Sequence, residues 1–193
     1  MAVYCKRWNK APHALAFECR LQTAHVFEPF TDKFGKTQYS AFVRVYEPEV
    51  MAAIEKMKAE VVKEKFGEKV WEKKLRQING NPNCCLLREP DDADDYKFMK
   101  LSRKPGDMAP QVFDRHNNQV TQADGLITSG AYVRVIAQFW AYDNQSCGVG
   151  ATLVAMQHVK DGEPFSGTPK ATKDDFEAVE GEDDEATGND MFG

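Results

Sequence analysis

No stretch of this 193-residue chain approaches the ~18 uninterrupted apolar residues that a membrane-spanning helix needs. No membrane partner is therefore expected. The opening MAVYCKRWNKAPH holds no apolar run of signal-peptide length either. Cysteine is sparse. Cys5, Cys19, Cys84, Cys85 and Cys147 form an odd set with one adjacent pair, unlike a disulfide framework. A reducing cytoplasm is the expected compartment. A phosphate-cradling GxxxxGK[ST] is missing, and Gly148-Val149-Gly150 lacks the third glycine and following helix of a dinucleotide fingerprint. His13, His25, His116 and His158 stand singly, and no CxxC or HExxH occurs, so neither metal nor cofactor is called for. No serine or cysteine sits in an activated nucleophilic context. The acidic run Asp91, Asp92, Asp94, Asp95 reads as a solvated loop, with a metal-dependent nuclease site as its rival. These absences favour a binding protein over an enzyme.

Basic residues are also missing from the end of the chain. Residues 174–193 carry nine Asp or Glu and no Lys or Arg. The 25 Lys and Arg before residue 174 face 21 Asp and Glu there, so a body of net +4 is hidden inside a chain of net −5. From Glu163 onward Pro, Gly, Ser, Thr, Asp and Glu dominate. That composition buries too little apolar area to fold, so residues 167–193 are expected to be a disordered acidic tail behind a folded domain of residues 1–166.

The body reads mainly as β-structure. HALAFECRLQTAHVFEPF mixes polar and apolar residues without helical periodicity, and is expected to form a strand over 14–28, with a turn at Gly35. QYSAFVRVYEP alternates cleanly: Tyr39, Ala41, Val43 and Val45 share one face, and Ser40, Phe42, Arg44 and Tyr46 the other. Pro48 suits a helix start, and Val50, Ile54, Met57 and Val61 recur at helical spacing to about residue 66. Gly67 interrupts, and Val70, Trp71, Leu75 and Ile78 continue a second helical piece. NGNPN marks a turn, residues 96–106 a strand with a basic end, and 110–121 a hairpin turning at Asn117-Asn118. Two long strands follow, at 128–142 and after Cys147. The expected fold is an OB-fold-like five-stranded barrel with a helical insertion after the second strand.

Residues 128–142 carry the functional signal. Val133, Val135, Ala137, Phe139 and Ala141 form a core face, while Tyr132, Arg134, Ile136, Gln138, Trp140 and Tyr142 fall on the other. Phe42, Arg44 and Tyr46 repeat this mixture, as do Tyr96, Phe98 and Lys100. Such a face suits single-stranded nucleic acid. Bases stack on aromatic rings for about 1–3 kcal/mol each while Arg and Lys follow the phosphates, without regard to base identity. The competing reading is that these aromatics merely cover the sheet beneath the helix. Lys33 and Lys36, and Lys97, Lys100, Arg103 and Lys104, form basic loop clusters of weaker meaning. The candidate nucleic-acid contacts are Lys36, Phe42, Arg44, Tyr46, Tyr96, Phe98, Lys100, Arg134, Trp140 and Tyr142. An acidic-tailed adaptor or DNA mimic without DNA affinity is the rival of a different class, and phosphate contacts alone leave duplex DNA open as a further partner.

RLQTAHVFEPFTDKFGKTQYSAFVRVY, then SGAYVRVIAQFWAYDN and GVGATLVAMQHVKDGEPF, followed by an acidic tail, resemble the single-stranded DNA-binding proteins of tailed bacteriophages. The resemblance covers about 20–47 and 125–166 and is carried by the order of fragments. It implies an OB-fold with a helix between strands two and three. It also implies single-stranded DNA coating during phage replication and recombination, in the cytoplasm of an infected bacterium. Homodimers are implied as well. The family's tail competes for the protein's own DNA groove and contacts replication partners such as polymerase and helicase-primase. Asp183, Asp184, Glu185, Asp190 and Phe192 are the corresponding residues here. The family's terminal aromatic is penultimate in this chain, ahead of Gly193.

Overall fold

The computed structural model describes residues 3–91, 95–144 and 146–165. The expected tail, with Asp183, Asp184, Glu185, Asp190 and Phe192, lies outside the described residues, as do Asp92 and Asp94 of the acidic run.

Among the described residues, eight strands and two α-helices follow one another as β1 (Cys5–Arg7), β2 (Ala14–Thr31), β3 (Thr37–Val45), α1 (Pro48–Phe66), α2 (Trp71–Asn79), β4 (Leu87–Arg88), β5 (Lys97–Arg103), β6 (Gln111–Phe113), β7 (Tyr132–Asp143) and β8 (Cys147–Lys160), with a short 3-10 turn at Gln122–Asp124. The sheet runs β4-β5-β3-β2-β7-β8-β6, with β1 paired to β2. A parallel bridge from Ser102 on β5 to Thr152 on β8 brings the path back on itself. Strands β5, β3, β2, β7 and β8 thus close a five-stranded barrel, as the alternating strand patterns predict. Register shifts between Leu21 and Thr23 and between His25 and Phe30 on β2, and between Ile136 and Ala137 on β7, coil the long strands. Bulges of this kind sharpen local twist, which a small barrel needs in order to close.

The inward faces form one core. Phe17, Leu21, Val43, Val45, Leu101, Val133, Val135 and Leu153 are all buried. Helix α1 follows the second barrel strand and packs Val50, Ile54, Met57, Val61 and Val62 into that core. Pro48 occupies its first turn, and Gly67, at φ 79°, ends it with its N–H donating 2.8 Å to the Lys63 carbonyl. The Arg7–Glu60 ion pair and a hydrogen bond between His13 and Glu64 tie the β1–β2 region to the outer side of α1.

Residues 110–121 turn back at Asn117, φ 67°, as the sequence leads one to expect. Phe113 bridges Gln119 antiparallel, the Val120 N–H donates 3.0 Å to the Val112 carbonyl, and the Asp114 N–H donates 2.9 Å to the Asn118 carbonyl. β6 also makes a three-residue parallel ladder with β8. Asp114 closes the turn. Its carboxylate accepts the backbone N–H groups of His116 and Asn118 and the Asn118 side-chain amide, which fixes a tight five-residue turn.

Candidate nucleic-acid interface

Alternation along each strand sends one set of side chains outward, and strand register lines the outward sets up. Tyr132 on β7 faces Arg20 on β2, Arg20 faces Arg44 on β3, Arg44 faces Phe98 on β5, and Phe98 faces Arg88 on β4. On the other side Tyr132 faces Lys160 of β8. One row across six strands therefore interleaves four cations with two rings, Arg20 and Arg44 standing side by side between Tyr132 and Phe98. The contacts match the register. Arg20 lies 4.9 Å and Lys160 4.3 Å from the Tyr132 ring centre. Arg44 lies 4.4 Å from Tyr96 and 5.5 Å from Phe98. The Arg44 Nε also donates to Gln22 Oε1 at 2.6 Å, which holds the guanidinium plane in place.

Two residues along, Phe42 faces Lys100, and the ammonium sits 5.3 Å from the ring. Beyond Lys100 the surface continues through Ser102 to Thr152, whose hydroxyl accepts a 3.1 Å hydrogen bond from Trp140 Nε1. Trp140 and Tyr142 lie 5.5 Å apart, centre to centre. They line an open groove of about 400 Å³ together with Lys36, Lys100 and Arg88. Trp140 is 46% exposed, one of the few large apolar residues the described fold leaves open.

The two rings rest on glycine. A Cβ added to Gly150 would stand 2.6 Å from the Trp140 ring, and one on Gly148 would stand 2.2 Å from the Tyr142 hydroxyl oxygen. Gly150 faces Trp140 and Gly148 faces Tyr142 across the β7–β8 ladder. The Gly148-Val149-Gly150 motif therefore provides two shelves on which aromatic side chains lie against bare backbone.

Cations crowd the groove. Burial holds Lys100 below the usual lysine range, and neighbouring Lys36 and Arg88 push the same way against nearby Asp32. Asp32 is itself held low, chiefly because its carboxylate accepts the backbone N–H of Lys36 and also that of Phe34. This Asx turn, with Gly35 at φ 77°, sets Lys36 at the groove edge. The Tyr142 phenol is raised, first by burial and then by Cys84 beside it.

The sequence-derived set is brought together unevenly. Lys36, Phe42, Arg44, Phe98, Lys100, Trp140 and Tyr142 share the outward surface just described. Tyr46 and Tyr96 adjoin it, 5.3 Å apart. Tyr96 is 6% exposed and meets Phe98 edge-on at 5.0 Å, so it buttresses that ring rather than offering a face. Arg134 sits one step along β7 from the row, ion-paired to Glu18 at 3.3 Å and 4.1 Å from the Tyr4 ring. Sequence reasoning missed Arg20, Arg88 and Lys160. Arg20 was legible, because it alternates with buried Cys19 and Leu21, but its strand was read without assigning faces. Among the described residues no group of three or more His, Cys, Asp or Glu gathers as a metal site.

The family model of the single-stranded DNA-binding protein of Enterobacter phage Enc34 matches residues 14–187. The chain belongs to this family. A putative protein, p50, of Acyrthosiphon pisum secondary endosymbiont phage 1 is 34% identical over 167 residues, covering 82% of this chain and 89% of that protein. The Enc34 single-stranded DNA-binding protein solved in complex with single-stranded DNA superposes at a TM-score of 0.62 with 14% identity, covering 86% of this chain and 96% of that one. A C-terminal truncation of the Enc34 protein gives 0.63 with 15% identity, covering 86% and 99%. At these identities the structures show the shared fold of the Enc34 family.

Proposed function

We propose that this Enc34-family protein binds single-stranded DNA without sequence preference, by stacking bases on outward rings and neutralising phosphates with the cations between them. The observation that carries the reading is the continuous outward surface from Lys160 and Tyr132, through Arg20, Arg44, Phe98, Phe42 and Lys100, to Trp140 and Tyr142. Family membership and the fold shared with a protein solved on single-stranded DNA support it. Spacing supports it too, since strands about 4.8 Å apart set rings and cations at intervals that an extended nucleotide chain can span.

Binding here involves no turnover. The Arg and Lys side chains displace counterions from phosphates, so affinity falls with salt. The acidic residues of 174–193 resemble a phosphate chain and compete for the same cations. Once displaced, Asp183, Asp184, Glu185, Asp190 and Phe192 are available to a basic partner surface with an apolar pocket. The setting read for this is phage DNA replication and recombination in the host cytoplasm, with polymerase and helicase-primase as tail partners and a homodimer as the assembly. Duplex DNA is a weaker ligand, because its bases are hidden from stacking.

The test is an anisotropy titration of the full chain with labelled single- and double-stranded oligonucleotides at two salt concentrations. Tighter, salt-sensitive single-strand binding is expected. Equal affinity for both forms would reject base stacking, and no binding to either would favour the protein-adaptor reading.

A further inference from the structure

The chain leaves β8 at Lys160 and crosses the barrel surface along a fixed path. Gly130, at φ 83°, and Gly162 pack backbone against backbone. A Cβ on Gly130 would lie 2.0 Å from the Glu163 carbonyl oxygen, and one on Gly162 would lie 2.1 Å from that of Gly130. Arg20 fastens both segments of this crossing. Its Nε and Nη2 donate to the Gly130 carbonyl at 3.2 and 3.0 Å, and Nη2 donates to the Glu163 carbonyl at 2.8 Å. The path delivers Phe165 onto the cation–ring row. Its ring centre lies 3.6 Å from the Arg44 guanidinium carbon and 4.4 Å from that of Arg20. Tyr96 and Phe98 flank the Arg44 side, and Tyr132 the Arg20 side.

A flat ring 3.6 Å from a guanidinium is at stacking distance, the geometry in which Arg also receives a nucleobase. Phe165 comes from neither barrel strand, and it covers two of the four cations in the row. It is also the last described residue before the acidic region, eight residues short of Lys173, the final basic residue.

We propose that the Arg20–Arg44 cradle is a nucleobase-stacking subsite and that Phe165 occupies it in the DNA-free protein, so that an entering base displaces the root of the acidic tail. This rests on the single-strand reading above. It adds a mechanical link to the diffuse charge competition already described, since one base and one phenyl ring exclude each other at one place. Tail release is thereby tied to occupancy of that subsite rather than to bulk charge alone. The hydrogen bonds that the Arg20 guanidinium donates to the Gly130 carbonyl hold the cradle in shape whether a ring or a base lies on it.

The experiment measures binding of a labelled oligodeoxythymidine to the full-length protein by anisotropy. The variants are Phe165→Ala, Phe165→Leu and each of these combined with Arg44→Ala. Removing the competitor is expected to tighten binding about three- to tenfold, the scale of one or two cation–π contacts. Phe165→Leu keeps apolar bulk while losing the π face, so it decides the matter if Phe165→Ala folds poorly. The gain is expected to vanish in the Arg44→Ala background, where the subsite itself is broken. Unchanged or weaker binding by Phe165→Leu, with wild-type binding intact, would make Phe165 a permanent packing residue and overturn the proposal. Absence of any wild-type binding would remove the single-strand reading and this inference with it.

Discussion

At the scale of single residues, exposure and charge state identify the groups a ligand would use. Trp140 is open, lies on a glycine shelf, and has its indole N–H already satisfied by Thr152. Its ring is therefore pre-positioned, and stacking a base on it costs little ordering. Trp140→Ala is expected to weaken single-strand binding by about 5- to 150-fold, the equivalent of ~1–3 kcal/mol of stacking, and duplex binding much less. Parallel titrations of the two ligands check this, and equal losses would argue against stacking. Lys100 makes a different prediction. Its pKa is lowered in the free protein by burial, Lys36 and Arg88. A phosphate beside it favours the charged form, so its pKa rises on binding, and at pH near the lowered pKa binding takes up a proton. Affinity should then be flat at pH values well below the lowered pKa, and should fall as pH rises through it, sooner than an ordinary lysine would allow. Lys100→Met should remove that alkaline fall and reduce the slope of log affinity against log salt by about 0.7. A salt series at neutral and alkaline pH measures both effects.

At the scale of elements, the groove depends on how β7 and β8 pair. Trp140 and Tyr142 lie flat because Gly150 and Gly148 stand opposite them. Gly150→Ala would push a methyl group into the indole, and the freest response is for the ring to swing away from the sheet. Since Gly150 faces outward, the core is undisturbed. The variant should melt within a few degrees of wild type, yet bind single strands clearly less well and show altered tryptophan emission. A large drop in melting temperature with binding unchanged would assign the glycine to folding alone. This pair also shows what sequence can and cannot reveal. Val133, Val135, Ala137 and Phe139 alternate with Arg134, Trp140 and Tyr142, so burial of one face and display of the other are written in β7 itself. The role of Gly148 and Gly150 is not, because it depends on which strand lies beside them and in which register. The same limit applies to Arg20 and Lys160, which join the row only through cross-strand pairing. α1 was readable end to end, since Pro48, its apolar spacing and Gly67 are all local signals. The pairing of β6 with β8 was not, because it joins residues more than forty apart in sequence.

At the scale of the whole molecule, the opposition lies between a body of net +4 and residues 174–193 at −9. The barrel gathers its outward cations along one surface, so the local potential there is more positive than the body average suggests. A tethered acidic segment is held at an effective concentration set by chain length, which for a short flexible linker reaches the millimolar range. Under the proposed competition, such a segment would rival a short oligonucleotide that covers few cations, and would lose to a long one that covers all of them. Deleting residues 174–193 should tighten binding of short single strands most, flatten the dependence of affinity on oligonucleotide length, and make the salt slope steeper, since tail charges no longer substitute for released counterions. Phe192→Ala should leave these DNA-binding curves near wild type while weakening any protein partner held by the tail, because one apolar residue adds nothing to the competing charge. Identical length dependence in the full-length and truncated chains would show that the acidic residues do not enter the groove, and would leave partner binding as their role.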